Sequence, residues 1–133
     1  IFSKQFPDMD NHSKLFALLH DAAEYVIGDM ISPLKSHLGI NYEELDGKLT
    51  MAICIRFNIP TKKIKIIKRC IKIADKRAAW LEAVQLAGFS KQEADSIFGK
   101  HEVTEGFETN LLPSTPFFIR KKFVNRFNEL YNS

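Results

Sequence analysis

The chain has 133 residues, of which 45% are hydrophobic and 26% are charged, a composition that excludes the collagen, coiled-coil and disordered classes. Nineteen Lys and Arg residues against sixteen Asp and Glu residues leave a net charge of +3, an excess too small to identify a nucleic-acid or membrane partner. A single domain of this length can bury one core without disulfides.

The first strong helical pattern covers residues 13–27, where apolar residues recur at three- and four-residue steps. Gly28 stands where a capping glycine would end that helix. A break follows at Ser32-Pro33, because proline disfavours helix in the residue before it and suits the first turn of a new one. We predict one buried helix here and a short helix after Pro33.

Two further helical patterns follow, over residues 42–57 and, as the longest of the chain, over residues 61–87. Ser90 and Glu93 then have the spacing of a capping box that opens a short helix ending near Gly99. Each pattern repeats with the helical period, so each predicts an amphipathic helix.

Residues 100–115 carry Gly, Thr, Asn and Pro and are predicted to form a loop, and residues 116–131 give the last amphipathic helix. We expect the apolar stripe of that helix in the core, or in part at a homodimer face; it consists of Phe117, Phe118, Phe123 and Phe127. No segment alternates with period two, so we predict a single all-α domain.

Cys54 and Cys70 have apolar neighbours and no C-x-x-C partner, so we interpret both as small buried residues in a reducing compartment. No apolar run approaches the roughly 18 residues of a membrane span, and no signal peptide opens the chain. We expect a cytoplasmic protein without a membrane partner.

The most informative segment pairs His20 with Asp21 in the middle of the first predicted helix. A desolvated carboxylate is costly unless it is paired or bound to a metal. Glu24 lies one helical turn after His20 on the same face, and Asp29 follows just past the predicted end. An ion-paired core histidine is the alternative explanation of the His-Asp dipeptide alone.

Residues 20–35 read HDAAEYVIGDMISPLK, which resembles the HD-domain metal-dependent phosphohydrolases, and above all the branch with the bacterial 5′-deoxynucleotidases. In that branch an HDxxE helix is followed by a Gly-Asp pair and a Ser/Thr-Pro-x-Lys segment. Residues 73–78, IADKRA, are similar to the family's late helix with its final metal-ligating aspartate. The resemblance covers most of the chain and implies an all-α HD-type domain over residues 1–133.

The resemblance implies a mixed nitrogen and oxygen site for one divalent metal ion, either Mn, Co, Zn, Fe or Mg, with His20, Asp21 and Asp75 as ligands. Glu24 and Asp29 would be the catalytic groups. One would take the proton of the metal-activated water and the other would serve the leaving ester oxygen, and the sequence leaves open which does which.

The implied reaction is hydrolysis of a small phosphorylated substrate, with a nucleoside monophosphate as the expected class. Lys35, Lys76 and Arg77 are candidate contacts to the substrate phosphate. The HDxxED pattern of the alarmone hydrolases is absent, because Tyr25 follows Glu24.

The family motif begins with a histidine on a helix before the His-Asp pair. Upstream of His20 the chain offers only His12, which lies in the predicted turn that enters the same helix and is expected at the surface. We therefore expect the first ligand, and the helix that carries it, to precede Ile1.

The long predicted helix also carries a basic stripe on one side, formed by Lys62, Lys65, Arg69, Lys72 and Lys76. We interpret the stripe as a solvated face, because aromatic residues do not interleave with it as in a single-strand binder. The alternative function is a non-catalytic binding module, either a degenerate HD domain or a basic-helix nucleic-acid binder.

Overall fold

The computed structural model describes the backbone of residues 1–101 and 109–133, and every side chain in those ranges apart from Ser32 and Ile40. Its helices are α1 (Phe2–Gln5), α2 (Asn11–Leu18), α3 (Glu24–Ile27), α4 (Ser32–Leu38), α5 (Ile40–Arg56), α6 (Ile64–Gln85), α7 (Lys91–Phe98) and α8 (Pro116–Tyr131). A 3-10 turn at Thr61–Lys63 leads into α6. No strand occurs in this part of the chain, so the predicted all-α class is confirmed.

The single helix predicted over residues 13–27 is wrong, because the structure divides it into α2 and α3 with turns over residues 19–23. The His20 imidazole Nδ1 lies 2.9 Å from the carbonyl oxygen of Ala17. A continuous α-helix would offer that oxygen to the backbone N–H of Asp21. A side chain that takes a backbone acceptor competes with the helix in this way, and the turns continue with 3-10 type bonds such as Ala22 N–H to Leu19 O, 2.9 Å.

The other predicted helices are confirmed, with small shifts at their ends. Helix α5 begins at Ile40, two residues earlier than predicted, and α8 has the predicted bounds. The predicted capping box forms at the start of α7: the backbone N–H of Ser90 donates to Glu93 Oε2 at 2.8 Å, and the backbone N–H of Glu93 donates to Ser90 Oγ at 3.3 Å. The short helix α1 was not predicted.

The larger of two apolar clusters fills the space where α2, α6 and α8 meet. Its buried members are Leu15, Phe16, Leu19, Cys54, Ile59, Ile67, Ile71 and Leu130. Burying a side chain such as Leu15 contributes about 1.5–3 kcal/mol. This cluster fixes α2, and therefore the turn that follows it, against the middle of α6.

A second cluster joins the end of α6 to α7 through Trp80, Leu81, Ala83 and Ala94. The indole Nε1–H of Trp80 donates to Asp95 Oδ1 at 2.8 Å, so the polar group of this buried side chain is satisfied.

The core prediction for the phenylalanine stripe of α8 is wrong for three of its four members, and the alternative of a homodimer face stays a prediction for them. Phe117 is 78% exposed, and Phe118 and Phe123 are exposed as well, whereas Phe127 packs edge-on against Phe57 with ring centroids 5.3 Å apart. Helix α2 packs against α8, but its eight residues are half the sixteen of α8. Such a short helix covers only part of its neighbour.

Both cysteines are free thiols, Cys54 buried and Cys70 half-buried. The prediction of small buried residues is therefore confirmed fully for Cys54 and in part for Cys70. Burial raises the pKa of the Cys54 thiol. Among the helices that the structure describes, none is both long and apolar enough to cross a membrane.

Candidate functional site

The structure brings together the three residues that the sequence suggested as metal ligands. His20 and Asp21 lie in the turn after α2, and Asp75 lies on α6, against which α2 packs. The His20 Nε2 atom is 2.9 Å from Asp21 Oδ2 and 3.8 Å from Asp75 Oδ1. The side chains are 32%, 65% and 55% exposed in that order, so the cluster lies at the surface, open to a small molecule.

The two nitrogens of His20 face different partners. A carbonyl oxygen can only accept a hydrogen bond, so Nδ1 donates to Ala17 and Nε2 is directed at the two carboxylates. In a neutral ring of this tautomer, Nε2 would present a lone pair to Asp21 Oδ2. Because metal–nitrogen and metal–oxygen bonds are about 2.1 Å long, two atoms 2.9 Å apart can occupy adjacent positions around one metal ion. His20 and Asp21 could therefore bind one ion without moving apart.

The pKa of the Asp75 carboxyl differs from that of an ordinary surface carboxyl. Burial raises the pKa of the Asp75 carboxyl; the adjacent His20 opposes this rise, and the negative charge of Asp21 adds to it. A bound cation would stabilise the ionised form of this carboxylate.

The donor atoms fit a divalent metal in their chemistry, because an imidazole nitrogen and carboxylate oxygens are the mixed set that such ions accept. The carbonyl that orients the other ring nitrogen is the usual outer partner of a ligating histidine. Within residues 1–101 and 109–133, no group of three His, Cys, Asp or Glu side chains has the spacing of a formed metal site.

Glu24 and Lys35, which the resemblance placed in different roles, form an ion pair with each other. Lys35 Nζ lies 3.1 Å from Glu24 Oε1 and 5.6 Å from the ring centroid of Tyr42. The hydrogen bond to Glu24 raises the pKa of Lys35. The ion pair joins the start of α3 to α4, and the contact of Lys35 with Tyr42 joins α4 to α5.

The remaining predicted site residues differ in exposure. Asp29 is exposed in the segment between α3 and α4, Lys76 is exposed next to Asp75, and Arg77 is half-buried. Among the described residues, no hydrogen bond or ion pair joins Glu24 or Asp29 to the His20 cluster. His12 is exposed as predicted.

Sequence reasoning missed two contributors to this region. The carbonyl of Ala17 carried a local signal, since it lies three residues before His20. Tyr42 carried none, because its contact with Lys35 joins different helices. The basic stripe is exposed as predicted: Lys62 lies in the 3-10 turn, and the other four residues extend over about 17 Å of α6.

No model of a known protein family matches the chain. A protein of Rhodobacter capsulatus that is described only as uncharacterized is 45% identical over 135 residues. The match covers 100% of this chain and 68% of that protein. At this identity and coverage, the chain belongs to the same family as the Rhodobacter capsulatus protein.

Proposed function

We propose that this chain is a metal-dependent phosphohydrolase that releases phosphate from nucleoside monophosphates. The observation that carries the proposal is the contact of His20 Nε2 with two carboxylates from separate elements, Asp21 and Asp75. The resemblance of residues 20–35 and 73–78 to the HD-domain phosphohydrolases supports the class of reaction. The free cysteines are consistent with the cytoplasm as its compartment.

A divalent metal ion held by His20, Asp21 and Asp75 would supply a hydroxide near neutral pH for attack on phosphorus. Ala17 fixes the ring of His20 so that Nε2 remains directed at the carboxylates. Asp75 belongs to the longest helix of the structure, whose apolar side is anchored in both clusters. This rigid support holds its carboxylate in place.

Glu24 accepts the proton of the attacking water in this proposal. Lys35 holds the Glu24 carboxylate at 3.1 Å and can offer its remaining N–H groups to a phosphate oxygen. Asp29, exposed beyond α3, serves the leaving ester oxygen, a task that requires it to carry a proton for part of the cycle. Lys76 and Arg77, next to Asp75 in sequence, complete the cationic side of the site.

Phosphate release from a panel of nucleoside monophosphates tests the proposal, with the protein expressed from its full reading frame and Mn²⁺, Co²⁺ or Zn²⁺ added. Asp75→Asn removes a ligand charge while keeping the size of the side chain, and should lower the rate at least about 100-fold. Asp8→Asn, at an exposed turn, is the matched control. No release with any of these metals, or equal rates for Asp75→Asn and wild type, would refute the proposal.

A second candidate is a non-catalytic binding module, favoured by the exposure of all five residues of the basic stripe. Such a face would bind nucleic acid with an affinity that falls steeply as salt is raised. The double substitution Lys65→Glu and Lys72→Glu should then abolish binding, while Asp75→Asn should leave it unchanged.

A further inference from the structure

An apolar cavity opens between α3, α4 and α5, beside the ion pair of Glu24 and Lys35. It has a volume of about 310 Å³ and is lined by Ile27, Met30, Leu38, Asn41, Tyr42 and Leu45. Five of these six side chains are apolar or aromatic, and the sixth is an amide. A largely apolar lining with one polar group is typical of small-molecule sites.

The region around the cavity contributes little to the protein's own core. Neither apolar cluster includes a described side chain from residues 24–49. Six large apolar side chains of this region are exposed instead: Tyr25, Val26, Ile31, Leu34, Leu38 and Leu45. When a ligand covers apolar surface that is exposed to water, the free energy of the system falls.

The size and the lining of the cavity favour a flat ring system as the ligand. A volume of about 310 Å³ is at the lower end of the range for small-molecule pockets and is too small for a protein helix. The ring of Tyr42 provides a stacking surface. The amide of Asn41 can both donate and accept hydrogen bonds at the edge of a heterocycle.

The cavity lies next to the ion pair of Glu24 and Lys35. Lys35 contacts both Glu24 and the ring of Tyr42, which lines the cavity. Helix α3 begins at Glu24 and ends at Ile27 in the cavity wall, a rise of about 4.5 Å. The turn with His20 and Asp21 directly precedes Glu24, so phosphate site and cavity are adjacent along the chain.

We propose that this cavity binds the heterocyclic base of the nucleotide substrate while the phosphate lies at the His20 cluster. The inference rests on the proposed function, since it takes the ligand to be a nucleotide. Stacking on Tyr42 and burial against Ile27 and Met30 would give the protein its preference for a nucleotide over a phosphate ester without a base.

Nucleoside binding can be measured without a phosphate group or a metal ion, by NMR of protein labelled with ¹³C in the methionine methyl groups. The chain has three methionines, Met9, Met30 and Met51, and only Met30 lines the cavity. A saturable shift of the Met30 signal on adding a nucleoside, with Met9 and Met51 unchanged, is expected. No shift with any of the common nucleosides, or equal shifts of all three signals, would overturn the inference.

Substitution of Tyr42 gives a second measurement. Tyr42→Ala should weaken nucleoside binding about tenfold, because base stacking on an aromatic ring is lost. It should also lower, by a similar factor, the ratio of kcat/KM for a nucleoside monophosphate to kcat/KM for ribose 5-phosphate. Tyr25→Ala removes a tyrosine that is 96% exposed and does not line the cavity, and serves as the control.

The two sets of measurements separate the inference from the proposed function. If phosphate release depends on Asp75 but the Met30 signal does not shift with any nucleoside, the base site alone is overturned. A Met30 shift abolished by Tyr42→Ala, without phosphate release from any nucleotide, would support the cavity as a base site and refute the phosphohydrolase.

Discussion

The protein divides into a packed body and an open segment that differ in how they use apolar residues. In the body, α2, α6, α8 and the end of α5 enclose one cluster, and α6 with α7 encloses another. The open segment, residues 24–49, has a similarly apolar sequence but supplies none of the described side chains of either cluster. Most of its described apolar side chains line a cavity or face the solvent.

The difference indicates where stability and function reside. The candidate metal ligands lie at the junction, with Asp75 on the body and His20 and Asp21 in the turn that joins the two regions. In the proposed site the packed body would hold the Asp75 carboxylate, while the open segment would present its apolar surface to a ligand. Substitutions should therefore affect stability in the body and binding in the segment.

The largest effect on stability is expected for Leu15→Ala in the body. Leu15 is 1% exposed in the larger cluster, and removing its side chain should lower the free energy of unfolding by about 2–5 kcal/mol. Leu34→Ala, at an exposed leucine of the open segment, should change it by less than about 0.5 kcal/mol. Urea unfolding followed by circular dichroism measures both changes. Equal losses of stability in the two variants would contradict the distinction between the packed body and the open segment.

Trp80→Phe tests the second cluster of the body. The substitution removes the indole donor at 2.8 Å from Asp95 and leaves that carboxylate without this partner, so we expect a loss of about 1–3 kcal/mol. Thermal unfolding gives the value. Asp95→Asn keeps an oxygen acceptor for the indole and should cost less. A loss as large as that of Trp80→Phe would show that the hydrogen bond is not the cause.

Asp10→Ala removes the N-terminal cap of α2, the helix that directly precedes the turn with His20. Asp10 accepts a hydrogen bond from the backbone N–H of Ser13 at 2.8 Å and pairs with Lys63 Nζ at 3.0 Å. The loss should be about 1 kcal/mol. Asp10→Asn keeps a capping side chain without the charge, and should cost less in the same urea titration.

The same residue gives a pH dependence of known sign. The hydrogen bonds from Ser13 and Lys63 hold the pKa of Asp10 well below its ordinary value. Its charge therefore stabilises the folded state above the unfolded pKa of about 3.9, and this contribution is lost as the pH falls towards the lower folded pKa. The stability difference between wild type and Asp10→Asn should shrink below about pH 4. A difference that stays constant from pH 7 to pH 3 would contradict this interpretation.

The smallest change in stability is expected for Val26→Ala, at an exposed position of α3. Because Val26 contributes to neither cluster, the free energy of unfolding should change by no more than about 0.5 kcal/mol. A loss above 1 kcal/mol in urea unfolding would place the open segment within the cooperative core and remove the distinction between the two regions.

The capping rules correctly predicted where two of the helices begin. Helix α8 begins where Thr115 caps it and Pro116 opens it, and Ser90 with Glu93 forms the capping box that their spacing indicates. The break after α2 escaped prediction, because it depends on the His20 ring taking the Ala17 carbonyl. A helical period alone does not reveal such competition.

Periodicity also identifies the apolar face of a helix without showing whether another element covers it. Phe117 belongs to the apolar stripe of α8, yet α2 is too short to reach it. At the site, the motifs indicated which residues belong with His20, and the structure places Asp21 and Asp75 beside it. The contact of Lys35 with Tyr42 joins two helices at no characteristic spacing, so the sequence carried no signal for it.

Metal stoichiometry tests the central claim, that His20, Asp21 and Asp75 form a divalent cation site, most directly. Titration with Mn²⁺, followed by electron paramagnetic resonance of the free ion, should give one bound ion per wild-type chain and per Asp8→Asn chain, and none per Asp75→Asn chain. Wild-type protein without saturable Mn²⁺ binding, or Asp75→Asn protein that binds as wild type does, would contradict the account.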